Sequence, residues 1–547
     1  MIVPRARTVM LVLSIVGSAQ AAPAVGQNLT ARLDSTFAPL WRTDGAGCAI
    51  GVRHGSEEYR RAYGMANLEY GVVLTPESIL ESGSVAKQFT AAAVVLLSLE
   101  GRLALDDDVR RYVPEVPDFG ETITLRHLLS HTSGLRDQWG LLNIAGSPPG
   151  SAVHTIDHIL RLVQAQRMLN FSPGAEYLYS NTGYVLLAVV VARVSGQSFA
   201  TFTTDRFFTP LGMTHTQWRE DYRTTVPARA TAYARQGESW ILDMPFTMVH
   251  GNGGLLTTVG DLLIWNEALT RESIAGGGEL VRLLETTGRL NDGTPIEYAL
   301  GVSVSSFRGV RQISHSGSTA GYRTYLARWP DADLSVAVLC NAANASPAQL
   351  ARRIASAVIG EGTPPVSPAP QVPMTSAEMV KLAGTYRDST TDDLVRFTVR
   401  GDTLQLGVGR SSQPLTPIGD GRFWSAVAGE YQFEQVDGHW RVRRSTNGLR
   451  IFEPYHPADI SKVVLTDYLG LYRSAELDLT IEVRQEGRTL RLFGPSTPLP
   501  ALIPAYEDGF RAGGITVRFM RARNGRVIGL RFFAGRVRDL RFERLRD

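Results

Sequence analysis

The run at residues 85–99 constrains the fold most, because it is apolar nearly all the way round. A helix without a polar face is a buried helix. Ser84 and Lys87 open the run three residues apart, and side chains at that spacing share one face of a helix. Ser84 is placed at the helix N-terminus, where unpaired backbone N–H groups favour negative charge. The pattern predicts a serine nucleophile with an amine beside it as base.

The use of lysine in this chain supports that prediction. Of 56 lysine and arginine residues, only three are lysines: Lys87, Lys381 and Lys462. Arginine keeps its proton near neutral pH, whereas a buried lysine can lose it. The alternative is that Lys87 is an ordinary surface lysine that follows Ser84 by chance, and two further motifs weigh against it.

The first residues have the pattern of a signal peptide, assigned to residues 1–22. Arg5 and Arg7 precede an apolar run at 9–16, and small residues at 18–22 offer cleavage sites. The run is too short to span a bilayer, and the lack of a cysteine after the cleavage region argues against a lipid anchor. We therefore expect a periplasmic or secreted protein without a membrane span once the signal is removed.

Two further motifs carry polar side chains beside predicted helices and strands. Tyr179 and Asn181 stand just before an apolar run at 184–194, and Asn181 is predicted to be the N-cap of that helix. In the alternative, functional interpretation, Tyr179 and Asn181 lie on a loop at the start of the helix and their side chains are directed at Ser84. The third motif, His315-Ser-Gly317, opens a run of predicted strands.

His127 and His131 lie four residues apart on a predicted helix, a spacing that zinc can use. The sequence context offers no third ligand and no His-Glu-x-x-His motif. Capping or packing roles are therefore predicted for both histidines, and no metal site.

The order Ser84-x-x-Lys87, Tyr179-x-Asn181, His315-Ser-Gly317 resembles the serine β-lactamase and penicillin-binding protein superfamily. The resemblance is strongest to its class C-like branch, which includes D-aminopeptidases, D-alanyl-D-alanine carboxypeptidases and esterases. It covers roughly residues 30–360, within a catalytic domain assigned to residues 23–360. It implies an α/β (α+β) fold in which an antiparallel sheet is flanked by helices, with an all-helical lobe and the site between the two.

The resemblance also implies a role for each motif residue. Ser84 attacks a carbonyl carbon, and Lys87, held neutral by burial, takes its proton. Tyr179 shares the role of base and passes the proton to the leaving group, while Asn181 binds Lys87 and the substrate amide. The backbone N–H groups of Ser84 and Ser318 form the oxyanion hole. The residues assigned to substrate binding are Ser316, Gly317, Gly253 and Gly254.

His315 stands where β-lactamases usually carry the lysine of a Lys-Thr-Gly motif. A fixed cation there helps to hold the carboxylate of a β-lactam, so its absence predicts inefficient β-lactam hydrolysis. Peptidases and esterases of the branch often carry histidine at this place.

The two cysteines are also placed by the resemblance. The sheet of the family pairs its first strand with its last, which puts Cys48 near Cys340. Export permits a disulfide between them, and two buried free thiols are the alternative.

The C-terminal part of the chain has a different character. Residues 361–373 are Pro-rich and predict a semi-rigid linker. Beyond it, short alternating runs predict all-β structure, and Leu382-Ala-Gly384-Thr-Tyr386-Arg387 recurs as Leu469-Gly470-Leu-Tyr472-Arg473. Two lipocalin-like β-barrels, at 374–460 and 461–547, are the simplest account, and this layout resembles that of bacterial D-aminopeptidases.

Together these features predict an exported serine hydrolase that works through an acyl-enzyme, without metal or cofactor. The preferred substrates are small amides or peptides with D-residues, as for a D-aminopeptidase or D,D-carboxypeptidase. The alternatives are a carboxylesterase or weak class C-like β-lactamase and, more remotely, a non-catalytic protein that binds or senses cell-wall ligands. No block of basic residues with interleaved aromatics indicates nucleic acid, and the oligomeric state is left open. Because all three motifs precede the linker, the barrels are predicted to affect substrate choice more than chemistry.

Overall fold

The computed structural model describes residues 29–37, 44–360, 371–408, 411–425, 428–459, 462–495 and 501–545. The predicted signal peptide and most of the predicted linker lie outside the described residues. The described chain forms a domain of mixed helices and sheets, followed by two eight-stranded barrel domains. This is the predicted fold class.

An antiparallel sheet organises the first domain. Its first strand in the chain pairs with its last, so that Cys48 lies opposite Cys340. A disulfide joins these two cysteines. The six strands, in spatial order, are Ser303–Phe307, Val310–Thr319, Tyr322–Trp329, Leu334–Cys340, Cys48–His54 and Glu57–Tyr63.

Helices cover both faces of this sheet because successive side chains of a strand point to opposite faces. Ile50 and Val52 share a hydrophobic core with the N-terminal helix and helix Pro347–Ile359. Gly51, between them, faces Leu263 on the other side. The helices are Leu29–Phe37, Lys87–Leu99, Leu125–Leu129, Gln138–Ile144, Ile156–Gln164, Asn181–Ser195, Phe199–Thr203, Thr209–Leu211, Val259–Thr270, Gly277–Glu285 and Pro347–Ile359.

Short turns and strands complete the domain. Its single-turn helices are Gly83–Ala86, Val109–Arg111, Thr204–Phe208 and Pro330–Ala332. Its short strands are Met65–Asn67, Val72–Val73, Leu80–Glu81, Gln217–Trp218, Tyr233–Gln236, Ser239–Leu242 and Leu255–Thr257.

The helix predicted to be buried is buried. The turn Gly83–Ala86 leads directly into helix Lys87–Leu99, and every residue from Lys87 to Leu97 is buried. This helix packs against helix Asn181–Ser195, which is also largely buried. Two motif-bearing elements therefore meet in the core of the helical lobe.

In the part of the chain that the structure describes, no single helix is long and apolar enough to cross a membrane. The helical segments Asn181–Ser195 and Phe199–Leu211 together meet the criteria of length and composition, but a bend of 82° separates them.

Two barrels follow, each built from eight antiparallel strands. The first begins after helix Ser376–Val380 and is closed; its strands are Gly384–Arg387, Leu394–Arg400, Thr403–Val408, Ser411–Gly419, Arg422–Ser425, Gly429–Val436, His439–Arg444 and Arg450–Pro454. In the second, Leu490 and Leu502 exchange backbone hydrogen bonds where the two end strands meet. Its strands, after the turn Leu465–Tyr468, are Gly470–Ser474, Leu479–Glu486, Thr489–Phe493, Ile503–Tyr506, Gly509–Ala512, Ile515–Arg521, Val527–Ala534 and Val537–Arg544.

The sequence repeat is a structural repeat. Tyr386 opens the first barrel and donates its hydroxyl hydrogen bond to Leu382 O, at 3.0 Å. Tyr472 opens the second barrel and donates in the same way to Tyr468 O, at 2.8 Å. Both rings are buried in aromatic-rich cores, so each copy of the motif anchors one barrel.

The second barrel packs against the catalytic domain through a buried ion pair. The side chain of Arg136 is 0% exposed and its Nη1 lies 2.6 Å from Glu476 Oε2 in the barrel. Arg136 also donates to the backbone oxygens of Arg538 and Asp539. Leu141 of the catalytic domain belongs to the hydrophobic core of the barrel. This contact brings a barrel hairpin to the edge of the motif residues.

Candidate active site

Ser84 and Lys87 meet as the sequence predicts. Lys87 Nζ donates to Ser84 Oγ at 3.0 Å, to Asn181 Oδ1 at 2.9 Å and to the backbone oxygen of Asn252 at 2.6 Å. Lys87 is 0% exposed. Burial lowers the pKa of its amine well below the ordinary value; the charge of Asp137 opposes this shift and the charge of Arg536 adds to it. The position of Lys87 and the direction of its pKa shift are those that the predicted role of base requires.

Asn181 is the first residue of its helix, and the prediction that it is the N-cap is wrong. Ser180 occupies the N-cap position and makes no side-chain cap. The Asn181 side chain is free to face Lys87 because Asp137 Oδ2 accepts both its backbone N–H, at 2.7 Å, and its amide N–H, at 2.8 Å. Asp137 also caps helix Gln138–Ile144, so one buried carboxylate joins two helices beneath the lysine.

Tyr179, the predicted proton donor, lies beside Lys87. Its ring centroid lies 4.9 Å from Lys87 Nζ and 4.1 Å from the ring centroid of His131. Burial raises the pKa of the Tyr179 hydroxyl far above its ordinary value, which the neighbouring Ser84 hydroxyl partly opposes. Tyr179 therefore stays a phenol while burial favours the neutral form of Lys87. Opposite shifts of this kind are the pattern expected of a base and a proton donor.

The two histidines of the predicted capping helix have the predicted structural roles. His127 Nδ1 accepts from the backbone N–H of Thr124 in a capping box. His131 Nδ1 accepts from Ser180 N–H, and its ring supports Tyr179.

Two glycines let the third motif approach the nucleophile. A Cβ on Gly83, whose φ is +51°, would lie 2.5 Å from Ser318 N, and a Cβ on Gly317 would overlap the carbonyl oxygen of Ser82. Strand Val310–Thr319 therefore packs directly on the turn Gly83–Ala86. This close packing puts the backbone of Ser318 beside that of the nucleophile turn, where the oxyanion hole is predicted.

His315 is neutral in this environment. Its Nδ1 lies 2.6 Å from Ser316 O, a carbonyl that only accepts, so Nδ1 carries the proton. Its Nε2, 2.9 Å from the Tyr298 hydroxyl, then accepts. Burial, together with the charge of Lys87, lowers the pKa of His315 to about 3. The third motif therefore supplies no cation to the site.

Ser84, Tyr179, Asn181 and the third motif border a cavity of about 970 Å³. It lies between the sheet and the helical lobe, the position that the resemblance implies. The predicted substrate-binding residues line it, as does Trp139 at the side of the helical lobe. From the predicted site, the lining residues are Ser84, Tyr179, Asn181, Gly253, Gly254, His315, Ser316, Gly317 and Ser318.

Comparison with known proteins identifies the architecture. A profile of the Beta-lactamase family matches residues 33–359, which is more than half of the chain. The chain belongs to the beta-lactamase family.

Curated proteins also match part of the chain. Penicillin-binding protein 4* of Bacillus subtilis is 31% identical over 311 residues, which are 54% of this chain and 68% of that protein. D-aminopeptidase of Brucella canis is 30% identical over 332 residues, 59% of this chain, and the match spans only 61% of the relative's own length. The octameric penicillin-binding protein homologue from Pyrococcus abyssi shares the fold, with a TM-score of 0.52 and 23% identity over 86% of this chain and 98% of that chain. As a member of this family, the protein is a serine hydrolase.

Arg536 is a residue of the cavity that no sequence motif of the beta-lactamase family predicts. It follows Gly535 at the tip of the hairpin between strands Val527–Ala534 and Val537–Arg544. Its Cζ lies 4.6 Å from the Tyr179 ring centroid, and its Nη1 lies 3.8 Å from Asp137 Oδ2. The second barrel thus contributes a charged side chain to the cavity, and the effect of the barrels on substrate choice rather than chemistry stays a prediction.

Sequence reasoning missed four residues that surround the motifs: Asp137, Asn252, Tyr298 and Arg536. Asp137 has one detectable signal, a helix N-cap three residues after Gly134. Asn252 directly precedes the predicted substrate-binding residues Gly253 and Gly254, but its contribution is a backbone oxygen. Tyr298 and Arg536 have no local signal, because only the packing of distant segments brings them to the site.

Proposed function

We propose that this protein is an exported hydrolase that forms an acyl-enzyme through Ser84 on small amides or peptides containing D-residues. The observation that carries the proposal is the hydrogen bond of 3.0 Å between Lys87 Nζ and Ser84 Oγ, made by a fully buried lysine. A lysine in that position serves as base only if its pKa is lowered, and burial lowers it.

Acylation proceeds through Lys87, Ser84 and Tyr179 in turn. Lys87 removes the proton of Ser84, and Oγ forms a bond to the substrate carbonyl carbon. The backbone N–H groups of Ser84 and Ser318 hold the developing oxyanion. The bond to the leaving group then breaks, and the Tyr179 hydroxyl gives the leaving group a proton that Lys87 replaces.

Deacylation repeats these transfers with water. Lys87 takes a proton from a water molecule, whose oxygen attacks the acyl carbonyl. The ester bond to Ser84 Oγ breaks, Oγ regains a proton through Lys87, and the carboxylic acid product leaves. No other reactant is required.

The names of two relatives support the substrate class, and two features of the chain support the export. The relative from Brucella canis is named a D-aminopeptidase and the one from Bacillus subtilis a penicillin-binding protein, which favours D-residue amides. The disulfide between Cys48 and Cys340 and the signal-peptide pattern at residues 1–22 favour an oxidising compartment outside the cytoplasm.

The proposal is tested by intact mass spectrometry of the protein incubated with a fluorophosphonate and, separately, with a penicillin. We expect at least one reagent to add a single label, mapped to Ser84 and absent from Ser84→Ala. Ser98→Ala is the matched control, because Ser98 lies near the other end of the same helix. A label on another serine, or one unchanged in Ser84→Ala, would contradict the proposal. Turnover of N-acetyl-D-alanyl-D-alanine over its L,L-enantiomer tests the stereochemistry.

A further inference from the structure

The cavity around Ser84 is positively charged. Its lining contains one acidic side chain, Glu81, and four arginines: Arg219, Arg323, Arg352 and Arg536. Any charged group of a substrate therefore meets mainly cations.

The single acidic side chain is already neutralised. Arg219 donates to both oxygens of Glu81, at 3.1 and 3.0 Å, and Arg229 Nη2 lies 3.9 Å from Glu81 Oε2. Glu81 is 1% exposed. Among the described residues that line the cavity, no carboxylate is left for the free ammonium group of an aminopeptidase substrate.

Two groups on the sheet side of the cavity, His315 and Arg323, already have hydrogen-bond partners. His315 is neutral because its two nitrogens are taken by Ser316 O and the Tyr298 hydroxyl. Arg323 donates through one nitrogen to two backbone oxygens of its own turn. A substrate anion beside Ser84 needs a partner from another element.

Arg536 is held at the right place to be that partner. Its backbone oxygen accepts from Asn170 Nδ2 at 3.0 Å, and Asn170 Oδ1 accepts from Arg538 N–H at 2.8 Å. These bonds fix the hairpin, while the Arg536 side chain remains 47% exposed toward the cavity. Its nearest carboxylate, Asp137, is at 3.8 Å and is already saturated by four shorter hydrogen bonds from N–H groups.

We propose that Arg536 of the second barrel binds a carboxylate of the substrate, and that this hydrolase selects peptides with a free C-terminus over amines with a free N-terminus. The inference rests on the proposed function for the reacting bond and names its substrate class. It makes Arg536 a specificity-determining residue supplied by a domain outside the region that matches the beta-lactamase family.

The position of the Arg536 guanidinium agrees with its proposed role in binding a substrate carboxylate. The Tyr179 ring lies within 5 Å of both the Arg536 guanidinium and the Lys87 amine. A residue of extended peptide spans about 3.5 Å, so a carboxylate one or two residues beyond the scissile carbonyl reaches the guanidinium. Arginine suits this task because its planar fork matches a carboxylate.

The kinetic test uses two acyl donors with the same acyl group, N-acetyl-D-alanyl-thioglycolate and its uncharged methyl ester. We expect the wild-type protein to prefer the carboxylate form in kcat/KM. Arg536→Ala should lower kcat/KM for the carboxylate form about 10- to 100-fold, the range for losing a hydrogen bond to a charged group. Because the Arg536 charge also lowers the Lys87 pKa, part of the loss extends to the methyl ester, and the carboxylate form should lose about tenfold more than the methyl ester. Arg536→Lys should keep part of the preference for the carboxylate form. Arg536→Glu should raise kcat/KM for D-alanine p-nitroanilide, which carries a free ammonium group, relative to kcat/KM for the carboxylate form.

Two control variants sharpen this test. Arg523→Ala removes an exposed arginine at the other end of strand Val527–Ala534 and should leave both rates unchanged. Arg352→Ala removes a second cavity arginine. If Arg352→Ala abolishes the preference and Arg536→Ala does not, or if Arg536→Ala lowers both rates equally, the assignment is overturned.

A binding measurement separates this inference from the proposed chemistry. In Ser84→Ala protein, calorimetry should show tighter binding of N-acetyl-D-Ala-D-Ala than of its C-terminal amide, and Arg536→Ala should remove the difference. Equal affinities before the second substitution overturn the inference even if Ser84 is labelled normally. If Ser84 is not labelled, the acyl-enzyme proposal is overturned. The difference in affinity between N-acetyl-D-Ala-D-Ala and its C-terminal amide still tests the role of Arg536.

Discussion

Asp137 fixes the orientation of Asn181 by accepting both its backbone N–H and its side-chain amide through one oxygen, at 2.7 and 2.8 Å. The amide oxygen of Asn181 is thereby turned toward Lys87, 2.9 Å away. Asp137 is 2% exposed, and its negative charge favours the protonated form of Lys87. It therefore acts on the base both through Asn181 and directly by charge.

Replacing this carboxylate should change the rate and its pH dependence together. In Asp137→Asn the lost charge no longer favours protonated Lys87, so the Lys87 pKa falls further and the neutral amine persists to lower pH. We expect the acid limb of the acylation profile to move to lower pH. The plateau should fall about tenfold or more, because Asn181 loses a hydrogen bond to a charged group.

Acylation rates between pH 4 and 9 check this prediction. Asp157→Asn is the control, since Asp157 is an exposed residue in the first turn of helix Ile156–Gln164. An acid limb that stays in place or moves to higher pH would show that Asp137 does not influence Lys87.

Lys87→Arg should be nearly as damaging as Lys87→Ala. Arginine keeps the positive charge but cannot become neutral near pH 7, and a fully buried site has no room for water to stabilise its larger head group. A general base is worth about 10²–10⁴ in rate, so both variants should lose at least about 100-fold in acylation. Folding is checked by thermal melts. Retention of more than about a tenth of the wild-type rate by folded Lys87→Arg would make Lys87 an electrostatic anchor.

Gly317→Ala should disable the site through the backbone alone. The added Cβ overlaps the carbonyl oxygen of Ser82, so strand Val310–Thr319 must move away from the nucleophile turn and take Ser318 N–H with it. Losing one oxyanion donor costs about 10²–10³ in rate, and we expect a fall of that size in acylation. Gly514→Ala, where a Cβ meets nothing within 4 Å, is the control. Equal activity of the two variants would remove Ser318 from the oxyanion hole.

Glu476→Ala should loosen the second barrel from the catalytic domain. The substitution leaves Arg136, which is 0% exposed, without its carboxylate, and breaking a buried pair costs about 3–5 kcal/mol. We expect a lower melting temperature and a weaker preference for carboxylate substrates, because the Arg536 hairpin is no longer held. Glu482→Ala is the control, since the pair of Glu482 with Arg484 is exposed and water screens it. If both variants melt alike, the barrel docks by other contacts.

The sequence alone predicted those features of this protein that depend on residues close together in the chain. The three-residue interval between Ser84 and Lys87 places both on one helix face, and the apolar run behind them predicts burial. The repeat around Tyr386 and Tyr472 predicts two barrels, because equal local sequence builds equal hairpins. Family resemblance added the pairing of the first and last strands and with it the disulfide.

Only the tertiary structure decided what surrounds these motifs. Asp137 and Asn181 are 44 residues apart, and Arg136 and Glu476 are 340 apart. No local pattern encodes such pairs. Arg536 belongs to a different domain from Tyr179, and an arginine at a hairpin tip has the same sequence signature whether it faces water or a cavity. Its position depends on how the barrel surface packs against helix Gln138–Ile144, and packing between surfaces depends on shape and charge that form only once both domains have folded.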